Sequence, residues 1–171
     1  MLSAMPAPVR SDAKHFQLFP LLISIGIALG VGISASLFTR PEIKGWYATL
    51  HKPGFTPPPW LFGPVWTVLY IMMAVAAYEV WKRRNESAVY ACSKANYIIQ
   101  LILNFLWSFT FFYLHQPVLA LVVIISLVVS ISGTLFYFGK IYRAAAWLLV
   151  PYLLWVGFAT ALNGAIVMLN T

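Results

Sequence analysis

Indoles, phenols and carboxamides recur at helical spacing inside otherwise apolar sequence, and theirs is the chemistry that stands out in this chain. Asn96, Gln100 and Asn104 follow one another at i, i+4 and i+8, and Trp107 and Phe111 continue that face. Trp147, Pro151, Trp155, Ala159 and Asn163 form a second line, and Trp66, Tyr70 and Met73 a third. Three such stripes can converge on one interior space, mostly apolar with a few placed polar groups, suited to a large flat ligand. Indole faces stack, while indole N–H and amide groups can bond a carboxylate or carbonyl. For any one of these residues a structural role is the default, since Asn and Gln hold membrane helices together and Trp and Tyr form interfacial belts. A belt role suits Trp81, beside Lys82-Arg83-Arg84, and Trp147, near the other basic loop. Asn104, Trp107 and Trp155 lie deeper, where the pocket reading gains.

Other chemistry finds little support. The acids are Asp12, Glu42, Glu79 and Glu86, and Glu79 is placed to pair with Arg83 at i+4. His15, His51 and His115 show no metal-ligand spacing, so no metal site is expected, and no cofactor is required. The single cysteine, Cys92, excludes an intrachain disulfide and reads as a small packing residue. Near-absence of intramembrane charge disfavours an ion channel or proton-coupled transporter, but leaves open a carrier for a neutral or amphipathic molecule.

The elements that must position these residues are membrane helices. The chain is 61% hydrophobic and 9% charged, with mean hydropathy +0.83, whereas a soluble domain carries about 25% charged residues. The expected fold is an all-α membrane protein, a single five-helix transmembrane domain over 16–171, with helices near 16–38, 63–81, 89–114, 117–138 and 144–169 and a polar N-terminal tail over 1–15. A cleaved signal peptide ending at Ser34-Ala35-Ser36 is the competing reading of the first run, whose length favours a retained helix. Short connections predict that sequential helices pack as antiparallel neighbours. Gly26 and Gly30 at GxxxG spacing, with Ala28, Gly32 and Ser36 on a neighbouring row, predict close helix packing, within the monomer rather than at a dimer seam. Between the first two helices, Trp46 to Trp66 holds five of the eleven prolines. Pro57-Pro58-Pro59 should be extended, and Pro64 should fall at a helix start. Eight basic residues (Arg10, Lys14, Lys82, Arg83, Arg84, Lys94, Lys140, Arg143) on one side against Arg40, Lys44 and Lys52 on the other place the N-terminus in the cytoplasm and the proline loop outside. The net charge of +7 is thus a topology signal and not a nucleic-acid footprint.

WYATLHKPGFTPPPWLFGPVW, QLILNFLW and PYLLWVGFATALN, in that order, resemble the tryptophan-rich sensory protein/translocator protein family (TspO/MBR) from the first helix to Asn163. The resemblance implies a five-helix bundle, often a homodimer, with a cavity beneath the loop that binds protoporphyrin IX or haem. It also implies sterol and benzodiazepine-type drug binding in some members and light- and oxygen-dependent porphyrin breakdown in some bacterial ones. Carried over by motif, Trp66 and Trp155 become the candidate catalytic residues. Trp46, Phe55, Pro57, Pro58, Tyr70, Gln100, Asn104, Trp107, Ala159 and Asn163 join them as ligand-binding candidates. Phe55 stands where many relatives have Trp, which removes an indole N–H from the loop. Gly164 stands where vertebrate relatives have the tyrosine of their cholesterol motif, so that site is absent. The permissive matches around Tyr137 and Tyr78 carry little weight. The expected function is tetrapyrrole binding in porphyrin homeostasis or stress sensing. The alternatives are a carrier for porphyrin, sterol or another lipophilic molecule and a regulatory membrane partner subunit. A bacterial inner membrane is the expected location, with a bacterial outer or mitochondrial outer membrane as the alternatives.

Overall fold

Five long apolar runs become five long helices, because in lipid every backbone N–H and C=O must be satisfied within the segment itself. A computed structural model describes residues 16–170; the polar tail expected over 1–15 lies outside them. In chain order the helices are α1 (Leu18–Lys44), a four-residue α2 (Trp46–Thr49), α3 (Phe62–Trp81), α4 (Tyr90–Ser108), α5 (Pro117–Ile141) and α6 (Arg143–Asn170). All but α2 are long and apolar enough to cross a membrane, so the chain is an integral, multi-pass membrane protein of the expected all-α class.

Several boundaries differ from expectation for physical reasons. Helix α1 runs six residues past 38, through Thr39, Arg40 and Pro41 to Lys44; hydropathy marks where the apolar layer ends, not where helical hydrogen bonding ends. Ser34-Ala35-Ser36 consequently lies mid-helix. The third span is not one α-helix over 89–114: α4 stops at Ser108 and a wide π turn, Phe109–Tyr113, follows. The Leu114 amide there donates to the Phe109 carbonyl (3.0 Å), five residues back. Widening the turn brings both Phe111 and Phe112 into the interior. Helix α5 continues to Ile141, and one extended residue, Tyr142, separates it from α6. The stiff proline segment behaves as expected at Pro58 (φ −59°, ψ 138°), while Pro59 opens a 3₁₀ turn, Pro59–Leu61. Pro64 sits in the first turn of α3, where its missing N–H costs nothing.

The bundle pairs α1 with α3, α4 with α5, α5 with α6, and α3 with α6. The expected pairing of α3 with α4 is the weak one: Trp66 and Trp107, ring centroids 6.2 Å apart, stand between the two backbones. Helix α1 is held by a few specific contacts. The Tyr78 hydroxyl accepts from the Gln17 amide (2.7 Å), and the Ser24 hydroxyl donates to the Ala74 carbonyl (2.8 Å). Near its outer end, Phe38 meets Phe105, Phe109 and Tyr113 edge-on.

The two small-residue rows separate. A Cβ on Gly32 would come within 2.5 Å of the Tyr70 ring, so that glycine is what lets α1 and α3 close together. Gly26 and Gly30 point outward with nothing near them, which corrects their assignment to packing within the monomer: a 100° step per residue puts the two rows on different faces. Cys92 is exposed, not packed. At the opposite end from the proline loop, Glu79 pairs with Arg83 as expected and also with Lys82, both at 2.7 Å. The Arg84 guanidinium lies 4.0 Å from the Trp81 ring centre, and Trp147 is 71% exposed, placements that suit an interfacial belt.

Candidate functional site

A cavity of about 930 Å³ occupies the proline-loop half of the bundle. Its walls come from the C-terminal halves of α1, α4 and α6 and the N-terminal half of α3, and Tyr47, Pro59 and Trp60 close its end. The aromatic wall is built around Trp66. Its ring centroid lies 5.7 Å from Tyr70, 6.2 Å from Trp107 and 6.2 Å from Tyr152, and Phe111 continues the series beyond Trp107 at 6.1 Å.

Behind that wall runs a hydrogen-bonded chain. The Tyr70 hydroxyl donates to Asn104 Oδ1 (2.6 Å), and Asn104 Nδ2 donates to the Tyr152 hydroxyl (3.0 Å), tying α3, α4 and α6 together. Trp107 Nε1 donates to Asn163 Oδ1 (3.2 Å), and Asn163 Nδ2 donates to the Pro117 carbonyl (2.9 Å) at the start of α5. Both carboxamides use their oxygen and their nitrogen on groups of other helices, so interhelical attachment is their structural role here.

Of the expected site residues, Trp66, Tyr70, Asn104, Trp107, Ala159 and Asn163 line the cavity together; Trp46, Phe55, Pro57, Pro58, Gln100 and Trp155 do not. Trp155 packs its ring edge-on against Phe62, a lining residue, at 5.9 Å, and its indole N–H is buried without a partner among the described residues. The cause is the drift of an i+4 line, which turns about 40° around a helix at each step. The line Trp147, Pro151, Trp155, Ala159, Asn163 therefore begins exposed and ends buried, while the buried face of α6 runs Leu149, Tyr152, Val156, Ala159, Asn163. Gln100 is fully buried deeper along α4, with neither amide atom bonded among the described residues.

The proline loop is clamped over the site. Lys52 Nζ donates to the carbonyls of Tyr47 (2.8 Å), Leu50 (2.9 Å) and Ala48 (3.3 Å), capping α2. Asn170 on α6 accepts from the His51 amide and donates to the His51 carbonyl, both at 2.9 Å. Trp46 stacks on His115 (4.4 Å), which in turn bonds Glu42 (3.1 Å). Phe55 packs on Phe158. Tyr47 reaches the cavity wall; burial pushes its pKa up, so the hydroxyl is a neutral donor, unbonded among the described residues.

The residues missed by sequence reasoning are mostly on α1. Gly32, Ser36, Thr39 and Arg40 line the cavity, as do Tyr47, Trp60 and Phe112. The row Ala28, Gly32, Ser36 was a signal for close approach, and close approach of α1 is what completes the wall. Tyr152 carried no signal, being three residues from Trp155 and off the i+4 line.

Fold and site together define an integral five-helix membrane protein with an aromatic-lined small-molecule cavity at one end. The model of the TspO/MBR family matches residues 24–169. The tryptophan-rich protein TspO of Archaeoglobus fulgidus is 44% identical over 156 residues, covering 90% of this chain and 99% of that protein. The protein of the same name from Chlorobaculum tepidum is 43% identical (90% and 98% covered), and the human translocator protein 38% identical (92% and 89% covered). The chain belongs to the TspO/MBR family.

Proposed function

We propose that this protein binds a tetrapyrrole, protoporphyrin IX or haem, in the cavity around Trp66 and serves porphyrin homeostasis or stress sensing. The observation that carries this reading is a space of about 930 Å³ walled by the indoles of Trp66 and Trp107 and the phenol of Tyr70, within the usual size range for small-molecule sites. Extended aromatic faces recognise a flat conjugated ring by stacking. All the lining residues lie in the loop-side half of the bundle and none comes from α5, which suits a receptor or scavenger better than a passage across the membrane.

A tryptophan-fluorescence titration of the detergent-solubilised protein with protoporphyrin IX tests the reading, run dark and then illuminated. Saturable quenching at one porphyrin per chain is expected. Quenching that only follows partition into empty micelles would overturn it. Porphyrin loss under light with oxygen, beyond that in empty micelles, would add a slow photo-oxidative activity centred on Trp66.

A further inference from the structure

Several of the cavity's neutral polar groups are already bonded within the protein. Asn104 and Asn163 bond Tyr70, Tyr152, Trp107 and Pro117. The hydroxyls of Ser36, Thr39 and Thr67 donate to carbonyls of their own helices, at Ile33, Ala35 and Gly63. The neutral donors left over include the second N–H of each carboxamide, the hydroxyls of Tyr47 and Ser108 and the Trp66 indole N–H, which have no partner among the described residues; none of them carries charge.

Arg40 differs. It is the one ionised side chain that lines the cavity, it is exposed, and among the described residues it has neither ion pair nor hydrogen bond. Glu42, the acid on the same helix, is turned to His115 (3.1 Å) and the Trp46 amide (3.4 Å). Of the other cations at this end, Lys52 is taken up by three carbonyls, and Lys44, one turn beyond Arg40, does not line the cavity. Arg40 lies toward the loop end of the cavity, which opens between α1 and α3 along exposed lining residues: Ile33 on α1 and Gly63, Pro64, Thr67 and Val68 on α3. An aromatic cavity therefore has one uncompensated positive charge at its mouth and no negative one.

We infer that Arg40 is the anion anchor of this cavity, and that its ligand is a flat amphipathic acid, seated with its ring among Trp66 and Trp107 and its carboxylate at the mouth between α1 and α3. A guanidinium presents a planar fork that matches a carboxylate, and a charge at the edge of lipid gains from an opposite one. The inference rests on the tetrapyrrole reading and adds to it that the free diacid, not a neutral derivative, is the preferred form.

Protoporphyrin IX and its dimethyl ester share the ring and differ in charge. Their affinities are to be measured by tryptophan quenching in zwitterionic nanodiscs, corrected for empty discs, for the wild type, Arg40→Gln and Arg40→Lys. The wild type should prefer the diacid by about tenfold or more, the scale of one hydrogen bond to a charged group. Arg40→Gln should bind the two forms equally, with ester affinity unchanged as proof of folding, and Arg40→Lys should keep part of the preference. A diacid preference that survives in Arg40→Gln, or an equal loss for both forms, overturns the role of Arg40 while leaving the tetrapyrrole reading intact. Failure of the wild type to bind either form defeats that reading and this one with it.

Discussion

Asn104 uses both halves of its carboxamide on tyrosines from two other helices, and it does so with 1% of its surface exposed. Asn104→Leu would leave the hydroxyls of Tyr70 and Tyr152 buried without those bonds, so we expect a loss of about 2–3 kcal/mol, read as a clear drop in thermal unfolding temperature in detergent. Gln100, one turn away, is also fully buried but bonds nothing among the described residues. Gln100→Leu should therefore leave the unfolding temperature unchanged or raised; a fall would show that internal water satisfies the amide. The two indoles carried over by motif should also part company. Trp66 lines the cavity and Trp155 sits behind Phe62. If porphyrin is degraded under light, Trp66→Phe should slow the decay far more than Trp155→Phe at equal occupancy, and equal slowing would count against a cavity-wall role for Trp66.

Helix α1 shows how one element serves packing and site at once. Its inner row brings the backbone against Tyr70 at Gly32, and its outer row, Gly26 and Gly30, meets nothing. A methyl group at 32 must push a ring that is pinned to Asn104 at 2.6 Å. Gly32→Ala should cost about 1–3 kcal/mol, the range for overpacking, and weaken porphyrin quenching as well, because Tyr70 is part of the wall. Gly30→Ala should leave the isolated protomer as stable or slightly more so, since Ala is the better helix former. Thermal unfolding and porphyrin titration of the two variants side by side check this; matching losses would place both glycines in the same interface.

For the whole molecule, the open question with a direct physical handle is orientation. Lys82, Arg83, Arg84, Lys94, Lys140 and Arg143 sit at the end away from the proline loop, and the positive-inside bias predicts a cytoplasmic placement for that end. Cys92 is the lone cysteine, exposed, and at that end. An impermeant maleimide should label it in inside-out vesicles and not in right-side-out ones; the reverse pattern would invert the topology and put the cavity on the cytoplasmic side. The number of spans, their approximate positions and the basic residues at their ends were legible from residue order, because length, hydropathy and charge act locally and need no knowledge of neighbours. So were Trp66, Tyr70, Asn104, Trp107, Ala159 and Asn163, whose helical phase happened to match the inward face. Trp155 and Gln100 were not placed correctly by phase alone, since four-residue spacing drifts around a helix and depth along the axis does not appear in it. The engagement of both asparagines, the turning of Glu42 toward His115 and the solitary charge of Arg40 depend on which helices meet and at what height. Those are relations between segments far apart in the chain, and only the packed bundle decides them.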